Sequence, residues 1–268
     1  MEKDRQEVAR HYDENPKKEW DRLKLHPFEF PITCHFIEQY IRKDDTILDI
    51  GGGPGRYSIY FAKNGHKVSL LDISKANISF AKKKARQYKV SIEAVVGDAL
   101  SLPYSDSSFD TVMLFGPMYH LLEKNERKKA LDEAIRVLKP NGYLFVSFIS
   151  MYGGMVFEMR ECPDAILSPI DQEVFYPSLL RNEGFSGRGF TLATFDTPKT
   201  MERIMDDSRL SKVTVFGQES VLAPCEDKIK SSPKNVRDMW IKEAIALAER
   251  EEFLSFAEHF CYVAKKVH

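Results

Sequence analysis

Short strand patterns alternate with helical patterns between Thr46 and Ile149. The strand patterns are rich in β-branched and aromatic residues and cover residues 46–50, 67–71, 92–96, 109–115 and 142–149. One intervening helical pattern follows Gly55, and Ser74 is a suitable N-cap for the next. Strands that alternate with helices predict a parallel sheet with helices on both faces. We therefore expect an α/β fold with this segment as its core.

The remainder of the chain flanks that core. Residues before it have helical patterns, and a segment after it mixes glycine, proline and aromatic residues without a clear period. Two more strand patterns follow, at 212–216 and 259–265. The expected domains are a helical lid (1–45), the core (46–150), an inserted lobe (151–190) and the end of the sheet with a helical insertion (191–268). Together they predict a doubly wound, mostly parallel sheet of seven strands.

Composition argues against several kinds of protein. The 268 residues are 43% hydrophobic and 29% charged, which is typical of a soluble globular chain. A formal net charge of -1 provides no general attraction to nucleic acid or to an anionic membrane. The four cysteines lie far apart and form no C-x-x-C pair, and no signal peptide or membrane-spanning run is found. We expect a cytoplasmic protein without a bound metal, a nucleic-acid partner or a membrane partner.

A glycine cluster follows the first strand, in the segment 47–55, which reads ILDIGGGPG. Glycines at a strand-to-helix turn allow a tight bend and let a ligand approach the main chain. The dinucleotide pattern G-x-G-x-x-G fails, because its last position is Arg56 or Ser58 in the two possible registers. No G-K-[ST] follows, so the P-loop pattern is absent as well. Taken alone, the segment could also be a plain tight turn.

The same residues match D-x-G-x-G-x-G, with Asp49, Gly51, Gly53 and Gly55 at its fixed positions. This pattern resembles the first motif of the class I S-adenosylmethionine-dependent methyltransferases. The resemblance implies a Rossmann-like fold whose last strand is antiparallel, S-adenosylmethionine as cofactor and S-adenosylhomocysteine as product. It is strongest over the core, and the whole chain is similar to small bacterial methyltransferases of unassigned substrate.

Acidic residues follow the next two strands. Asp72 ends the run VSLLD, and the resemblance implies that its carboxylate binds the two ribose hydroxyls of the cofactor. Asp98, in VVGDAL, matches the acid that accepts from the adenine amino group. Each aspartate alone could be a helix cap or a turn former. The cofactor-binding residues that we expect are Tyr12, Asp49, Gly51, Gly52, Gly53, Gly55, Asp72, Ile73, Asp98, Ala99, Leu100 and Phe115.

Candidate catalytic residues follow the fourth strand, in the run FGPMYHL at 115–121. The resemblance implies that this stretch lies beside the transferred methyl group. His120 is the candidate base because imidazole titrates near neutral pH, and Tyr119 is a candidate aromatic wall or hydrogen-bonding group. A capping or packing role is the alternative for His120. Tyr12, near the start of the chain, could cover the sulfonium with its ring or be an ordinary packed tyrosine.

These patterns predict methyl transfer to an O, N or S nucleophile of a small molecule. The run at 115–121 departs from the Asn/Asp-Pro-Pro-Tyr/Phe pattern of enzymes that methylate amino groups of nucleic-acid bases and glutamine, which disfavours those acceptors. We expect residues 151–190 and 220–256 to shape the acceptor pocket. The alternative is a catalytically silent protein that binds the cofactor or its product as a sensor or partner subunit.

Overall fold

The computed structural model of the chain describes residues 2–189 and 191–267. Met1, Phe190 and His268, which bound three of the expected domains, lie outside the described residues. The strands are β1 (Thr46–Ile50), β2 (Lys67–Asp72), β3 (Glu93–Val96), β4 (Phe109–Leu114), β5 (Leu138–Ser150), β6 (Phe185–Arg188), β7 (Leu192–Asp196), β8 (Leu210–Gly217) and β9 (His259–Lys266).

The main sheet runs in the order β3-β2-β1-β4-β5-β9-β8. Strands β3, β2, β1, β4 and β5 are parallel neighbours, and β9 lies antiparallel between β5 and β8. Each of the seven predicted strands is present, and the antiparallel last strand is confirmed. This is the mixed, mostly parallel sheet of a Rossmann-like fold.

The predicted count of seven strands is wrong, because the described residues form nine. The two additional strands, β6 and β7, make an antiparallel hairpin that joins the sheet only through the last two residues of β5, Ile149 and Ser150. The hairpin strands are short and contain Gly187, so their sequence has a weak strand pattern. Packing of Phe185 against Phe175 and Phe195 stabilises the hairpin, and these contacts come from tertiary structure.

Thirteen α-helices are found in the described part of the chain. They are α1 (Glu2–Glu14), α2 (Pro16–Leu25), α3 (Glu29–Glu38), α4 (Arg56–Lys63), α5 (Lys75–Tyr88), α6 (Gly116–His120), α7 (Lys124–Val137), α8 (Met151–Glu161), α9 (Tyr176–Leu180), α10 (Pro198–Met205), α11 (Glu226–Lys230), α12 (Lys234–Leu247) and α13 (Glu251–Leu254). Residues 163–167 and 220–225 form 3₁₀ turns, and 171–175 form a π-helical turn.

Successive strand residues face opposite sides of the sheet, so both faces are buried. Leu48 packs in the cluster that contains Ala134 of α7, whereas its neighbour Ile47 packs in the cluster that contains Ile32 of α3. Strands that are covered on both faces need continuous apolar runs. Such runs can be recognised in the sequence, so these strands could be predicted from it. No helix in the residues that the structure describes is long and apolar enough to cross a membrane.

Candidate active site

One cavity runs along the edge of the sheet where the parallel strands end. Because β9 is antiparallel to β5, its first residue lies at that same edge. Helices α1, α2 and α3 cover the cavity from the other side. The described residues that line it are Arg5, Val8, Tyr12, Glu19, Arg22, Leu23, Glu29, Asp49, Gly51, Gly52, Gly53, Pro54, Arg56, Tyr57, Leu71, Asp72, Ile73, Asn77, Gly97, Asp98, Ala99, Phe115, Gly116, Pro117, Tyr119, His120, Leu121, Ser147, Gln218 and His259.

The glycine loop after β1 is packed tightly against the protein itself. A Cβ on Gly51 would lie 2.4 Å from Cδ of Pro117, and φ at Gly51 is +70°. A Cβ on Gly52 would lie 2.3 Å from the carboxyl group of Asp49. Larger residues would therefore displace either the start of α6 or the Asp49 carboxylate. These two glycines hold the floor of the cavity in place before any ligand is considered.

Asp49 carries a buried carboxylate at the end of β1. Its Oδ2 accepts a 2.6 Å hydrogen bond from the Ser58 hydroxyl, while Oδ1 has no hydrogen-bond partner among the described residues. The pKa of Asp49 is raised to about 7, mainly by burial and also by the nearby Asp72 carboxylate, against the opposing Ser58 hydrogen bond. An unpartnered buried oxygen beside a cavity suits a ligand that brings a donor or a positive charge. S-adenosylmethionine carries both.

Asp72 is held at the end of β2 by backbone donors. Its Oδ2 accepts from the Gly53 N–H at 2.8 Å, and its Oδ1 accepts from the Ser74 N–H at 2.8 Å and from the Asn77 amide at 3.3 Å. Burial raises the pKa of Asp72, against the effect of these hydrogen bonds. The glycine loop and the start of α5 thus fix the carboxylate together, at a position that lines the cavity.

Asp98 follows β3 and links it to the N-terminal helix. Its Oδ1 accepts from the Leu100 N–H at 2.9 Å, and its Oδ2 lies 3.3 Å from Nε of Arg5 in α1. Arg5 also pairs with Glu126 of α7. The carboxylate remains partly exposed, and α1 is thereby anchored beside the expected adenine position.

His120 and Tyr12 form a hydrogen-bonded pair in the cavity wall. The His120 Nδ1 lies 2.9 Å from the carbonyl oxygen of Leu192, and because a carbonyl only accepts, Nδ1 carries the proton. Its Nε2 therefore accepts from the Tyr12 hydroxyl at 2.7 Å. Burial lowers the pKa of His120 to about 4, so the ring is neutral at pH 7. Its basic nitrogen faces Tyr12, a partner that the sequence did not suggest.

The other half of the cavity contains charged residues that sequence reasoning missed. Arg22 of α2 pairs with Glu29 of α3 through Nη1 to Oε2 at 2.7 Å and Nη2 to Oε1 at 3.3 Å. Tyr57 donates to the same carboxylate at 3.1 Å. His259, at the start of β9, donates from Nδ1 to Oε1 of Glu219 at 2.7 Å and from its backbone N–H to Oε2 at 2.9 Å.

Side-chain atoms of Glu29, Glu219 and His259 lie within 4.8 Å of one another, a spacing that one metal ion could bridge. However, all four carboxylate oxygens already accept from Arg22, Tyr57 or His259. Each of these oxygens therefore has a protein donor, and we interpret the cluster as a hydrogen-bond network. No local motif marks it, because Glu29 of α3, Glu219 of the loop after β8 and His259 of β9 are distant in sequence.

Most of the expected site residues line this one cavity. Those that do are Tyr12, Asp49, Gly51, Gly52, Gly53, Asp72, Ile73, Asp98, Ala99, Phe115, Tyr119 and His120. Gly55 and Leu100 lie behind the wall, where Gly55 allows close packing on Ala81 and Leu100 supports Asp98 through its N–H. Within the described residues of 151–190 and 220–256, none lines the cavity. The helices before the core and the ends of β5, β8 and β9 border it instead.

Residues 47–142 match the sequence profile of a methyltransferase domain family. This segment is therefore a methyltransferase domain. Over 104 residues the chain is 38% identical to a demethylmenaquinone methyltransferase of Renibacterium salmoninarum, covering 39% of this chain and 41% of that protein. Over 122 residues it is 33% identical to a ubiquinone/menaquinone biosynthesis C-methyltransferase of Escherichia fergusonii, covering 44% and 46% of the two chains.

The chain thus matches less than half of the length of these relatives. The solved structure of a methyltransferase from Methanosarcina mazei aligns with a TM-score of 0.59, covering 87% of this chain and 97% of that one at 22% identity. This similarity extends the shared fold beyond the matched domain to most of the chain. The expected Rossmann-like methyltransferase fold is confirmed.

Proposed function

We propose that this protein transfers the methyl group of S-adenosylmethionine to a nucleophilic atom of a small molecule. One observation carries the proposal: Asp49, Asp72 and Asp98 lie at the carboxyl ends of three neighbouring strands and line a single cavity. All three lie inside the segment that matches the methyltransferase domain. A net charge of -1 supports a small molecule rather than a nucleic acid or a membrane as the partner. We place the activity in the cytoplasm.

The cofactor would supply an activated methyl group on a sulfonium cation. Asp72, fixed by three donors, would accept from the ribose hydroxyls, and Asp98 would accept from the adenine amino group. Asp49 offers its unpartnered Oδ1 to the positively charged part of the cofactor. The rings of Phe115 and Tyr119 line the cavity after β4, where they would exclude water and restrict the acceptor to an in-line approach.

The acceptor atom that we propose is O, N or S. The name of the Escherichia fergusonii relative adds carbon to this set, because that protein is a C-methyltransferase. An electron-rich ring can react at oxygen or at the neighbouring carbon once its hydroxyl loses a proton. Product analysis by mass spectrometry and NMR would therefore record which atom carries the new methyl group.

Calorimetry should show binding of S-adenosylmethionine and S-adenosylhomocysteine but no binding of NAD. The reason is that the loop has Arg56 or Ser58 where a dinucleotide fingerprint needs a glycine or alanine. Isotopically labelled S-adenosylmethionine, incubated with a panel of small acceptors, would then test turnover through the label in the product. NAD binding without binding of either sulfur ligand would refute the proposal. Binding of both sulfur ligands without any turnover would instead favour the sensor alternative.

Asp72→Ala should weaken cofactor binding by about 1.5 to 3 kcal/mol, the range for loss of a hydrogen bond to a charged group. The Asp72 carboxylate is buried and lines the cavity. Calorimetry on the folded variant measures the effect. Asp45→Ala is the matched control, because Asp45 also accepts from a backbone N–H, that of Arg42, but does not line the cavity. Unchanged affinity in Asp72→Ala would remove this residue from the binding site.

A further inference from the structure

We propose that His259 is the general base of this methyl transfer, oriented by Glu219, and that the acceptor is a hydroxyl group on an aromatic ring. The inference rests on the proposed function and adds to it the proton acceptor and the substrate class. Neither residue belongs to the matched domain, which ends at residue 142. The argument depends on the position of the ring, its hydrogen bonds, its charged surroundings and the walls of the cavity.

The order of strands places His259 at the acceptor end of the cavity. The expected contacts to adenine and ribose follow β3 and β2, and the glycine loop follows β1. Phe115 and Tyr119 follow β4, where the methyl group is expected. His259 begins β9, which lies two strands beyond β4, and pairs with Ile149 near the end of β5. A ligand that lies along this edge would therefore bring its acceptor part, and not its adenosine, to His259.

Two hydrogen bonds fix the His259 ring and its tautomer. The carboxylate of Glu219 accepts from Nδ1 at 2.7 Å and from the backbone N–H of the same residue at 2.9 Å. Because the carboxylate can only accept from Nδ1, Nε2 is the ring nitrogen that is able to take a proton. The carboxylate also stabilises the imidazolium that would form. This is the arrangement of a histidine base with an orienting acid.

The surroundings of His259 favour a proton on the ring. Burial disfavours the charged ring, but the carboxylates of Glu219 and Glu29 outweigh burial and raise the pKa of His259 above its ordinary value, against the opposing charge of Arg22. The charged and titratable groups near the ring are Glu219 and Glu258 from the adjoining loops, Glu29 of α3, Arg22 of α2 and Tyr119 of α6. Three of these groups are carboxylates, whereas Arg22 is the single arginine among them.

His120, the base expected from sequence, is less suited to this task. Both of its ring nitrogens are already hydrogen bonded, to Leu192 and to Tyr12, and burial lowers its pKa to about 4. A weak base whose lone pair is occupied gains little by accepting a proton from a substrate. We assign His120 to positioning Tyr12 over the cavity.

The walls of the acceptor half favour a neutral aromatic compound. Tyr57 and Phe115 contact each other edge to face at 5.5 Å between ring centroids, and Tyr119 lies nearby in the same cavity. Glu19 and Glu29 also line it, which disfavours an anionic acceptor, and Arg22 is already paired with Glu29. Rings of this kind stack well on a flat, uncharged substrate.

A base of imidazole strength is matched to a phenolic hydroxyl. A phenol has a pKa of about 10, as in tyrosine, and a thiol about 8.5, so a thiol ionises with less help. An aliphatic hydroxyl is a far weaker acid, close to water at about 15.7, so its acidity is matched much less closely to imidazole than that of a phenol. A neutral amine attacks with its own lone pair before it loses a proton. Among these acceptors, the aromatic hydroxyl gains most from His259.

The step balances in atoms and charge. A bond forms between the acceptor oxygen and the methyl carbon while the carbon–sulfur bond breaks, and its electron pair stays on sulfur. The hydroxyl proton moves to Nε2 of His259, which becomes an imidazolium paired with Glu219. The positive charge thus passes from sulfur to the ring, which later releases the proton to water.

The principal test compares His259→Asn with His26→Asn. His26 is the matched control because its Nδ1 also pairs with a glutamate, Glu226 at 2.6 Å, yet it does not line the cavity. The probe is 1-naphthol, with 1-naphthylamine and 1-thionaphthol as alternatives, and the readout is single-turnover formation of S-adenosylhomocysteine. We expect 1-naphthol to be methylated, about 10² to 10⁴ times more slowly by His259→Asn. His26→Asn should match the wild type.

A pH profile separates a base from a structural residue. With the wild type, the single-turnover rate should rise with pH as His259 loses its proton, and then become constant. Glu219→Gln removes the carboxylate that favours the charged ring, so the rise should shift to lower pH. Replacement of His259 should abolish this rise. A substitution that merely loosened the fold would change the rate but would not shift the pH of the rise to lower values.

Two measurements without turnover keep the proposal testable if a variant does not fold. Calorimetry of the wild type with S-adenosylmethionine tests the proposed function alone. If the cofactor did not bind, the proposed function would be wrong, and the result would say nothing about the role of His259. NMR of the wild-type complex with S-adenosylhomocysteine should show the His259 ring signals shifting when 1-naphthol is added, and less with 1-methoxynaphthalene, which lacks the proton. Unmoved His259 signals, wild-type turnover by His259→Asn, or a preference for the amine or the thiol would overturn the inference.

Discussion

Arg127→Met should lower the free energy of unfolding by about 3 to 5 kcal/mol, the range for removing one partner of a buried ion pair. Arg127 of α7 and Asp196 at the end of β7 form a two-pronged pair whose side chains are 6% and 2% exposed. Methionine keeps most of the aliphatic packing but leaves the Asp196 carboxylate buried with Thr200 as its remaining side-chain donor. Urea denaturation of the ligand-free protein measures the loss.

Two controls separate charge burial from a general effect of substitution. Lys17→Met removes an exposed pair with Asp21 on α2, which water and salt screen, so its destabilising effect should be much smaller. The double variant Arg127→Met/Asp196→Asn also removes the unpaired buried charge of Asp196. It should therefore recover part of the lost free energy of unfolding. Equal destabilisation by Arg127→Met and Lys17→Met would show that the buried pair contributes nothing beyond an exposed one.

Asp49→Asn should change the pH dependence of stability while it weakens cofactor binding. The folded-state pKa of Asp49 is raised to about 7, mainly by burial, above its ordinary value of 3.8. A raised pKa contributes stability that is fully present below pH 4 and is lost as the pH rises through 7. At roughly 1.4 kcal/mol for each pKa unit, the wild type loses roughly 4 kcal/mol from this group across that window. Asparagine cannot ionise and escapes the loss.

Unfolding free energies of Asp49→Asn and the wild type, measured in urea at pH 4.5 and at pH 7.5, test this expectation. The variant should gain stability relative to the wild type at the higher pH. Calorimetry with S-adenosylmethionine should show weaker binding by the variant, because asparagine at this cavity-lining position cannot offer a negative charge to the sulfonium cation. A stability difference that stays constant between the two pH values would show that Asp49 does not titrate in this range.

The core of the fold was predictable because its signals are local. The strands of a doubly covered sheet are continuous apolar runs, and Ile47 and Leu48 must both be apolar since they face opposite layers. The hairpin β6–β7 was not predictable. Its strands are short and contain glycine, and the ring of Phe175 that supports Phe185 comes from a separate turn.

The adenosine half of the candidate site was largely readable for the same reason. The glycine loop and the aspartates at 49, 72 and 98 each lie at or just after the end of a strand, and the ends of parallel strands must meet at one edge. The acceptor half had no such signal. Glu219 and His259 are 40 residues apart, and each is an ordinary residue in its own segment until the pairing of β8 with β9 brings the two together.

The sequence by itself determined the α/β core, the ligand-binding loop after β1 and the carboxylates that follow β2 and β3, because each depends on contiguous residues with a fixed period or spacing. Only the tertiary structure decided which side chains share hydrogen bonds. It joined His120 to Tyr12, 108 residues away, and left His259 beside the cavity with an orienting carboxylate. Burial and neighbouring charge, which set the proton affinity of these two histidines in opposite directions, arise only once the chain has folded.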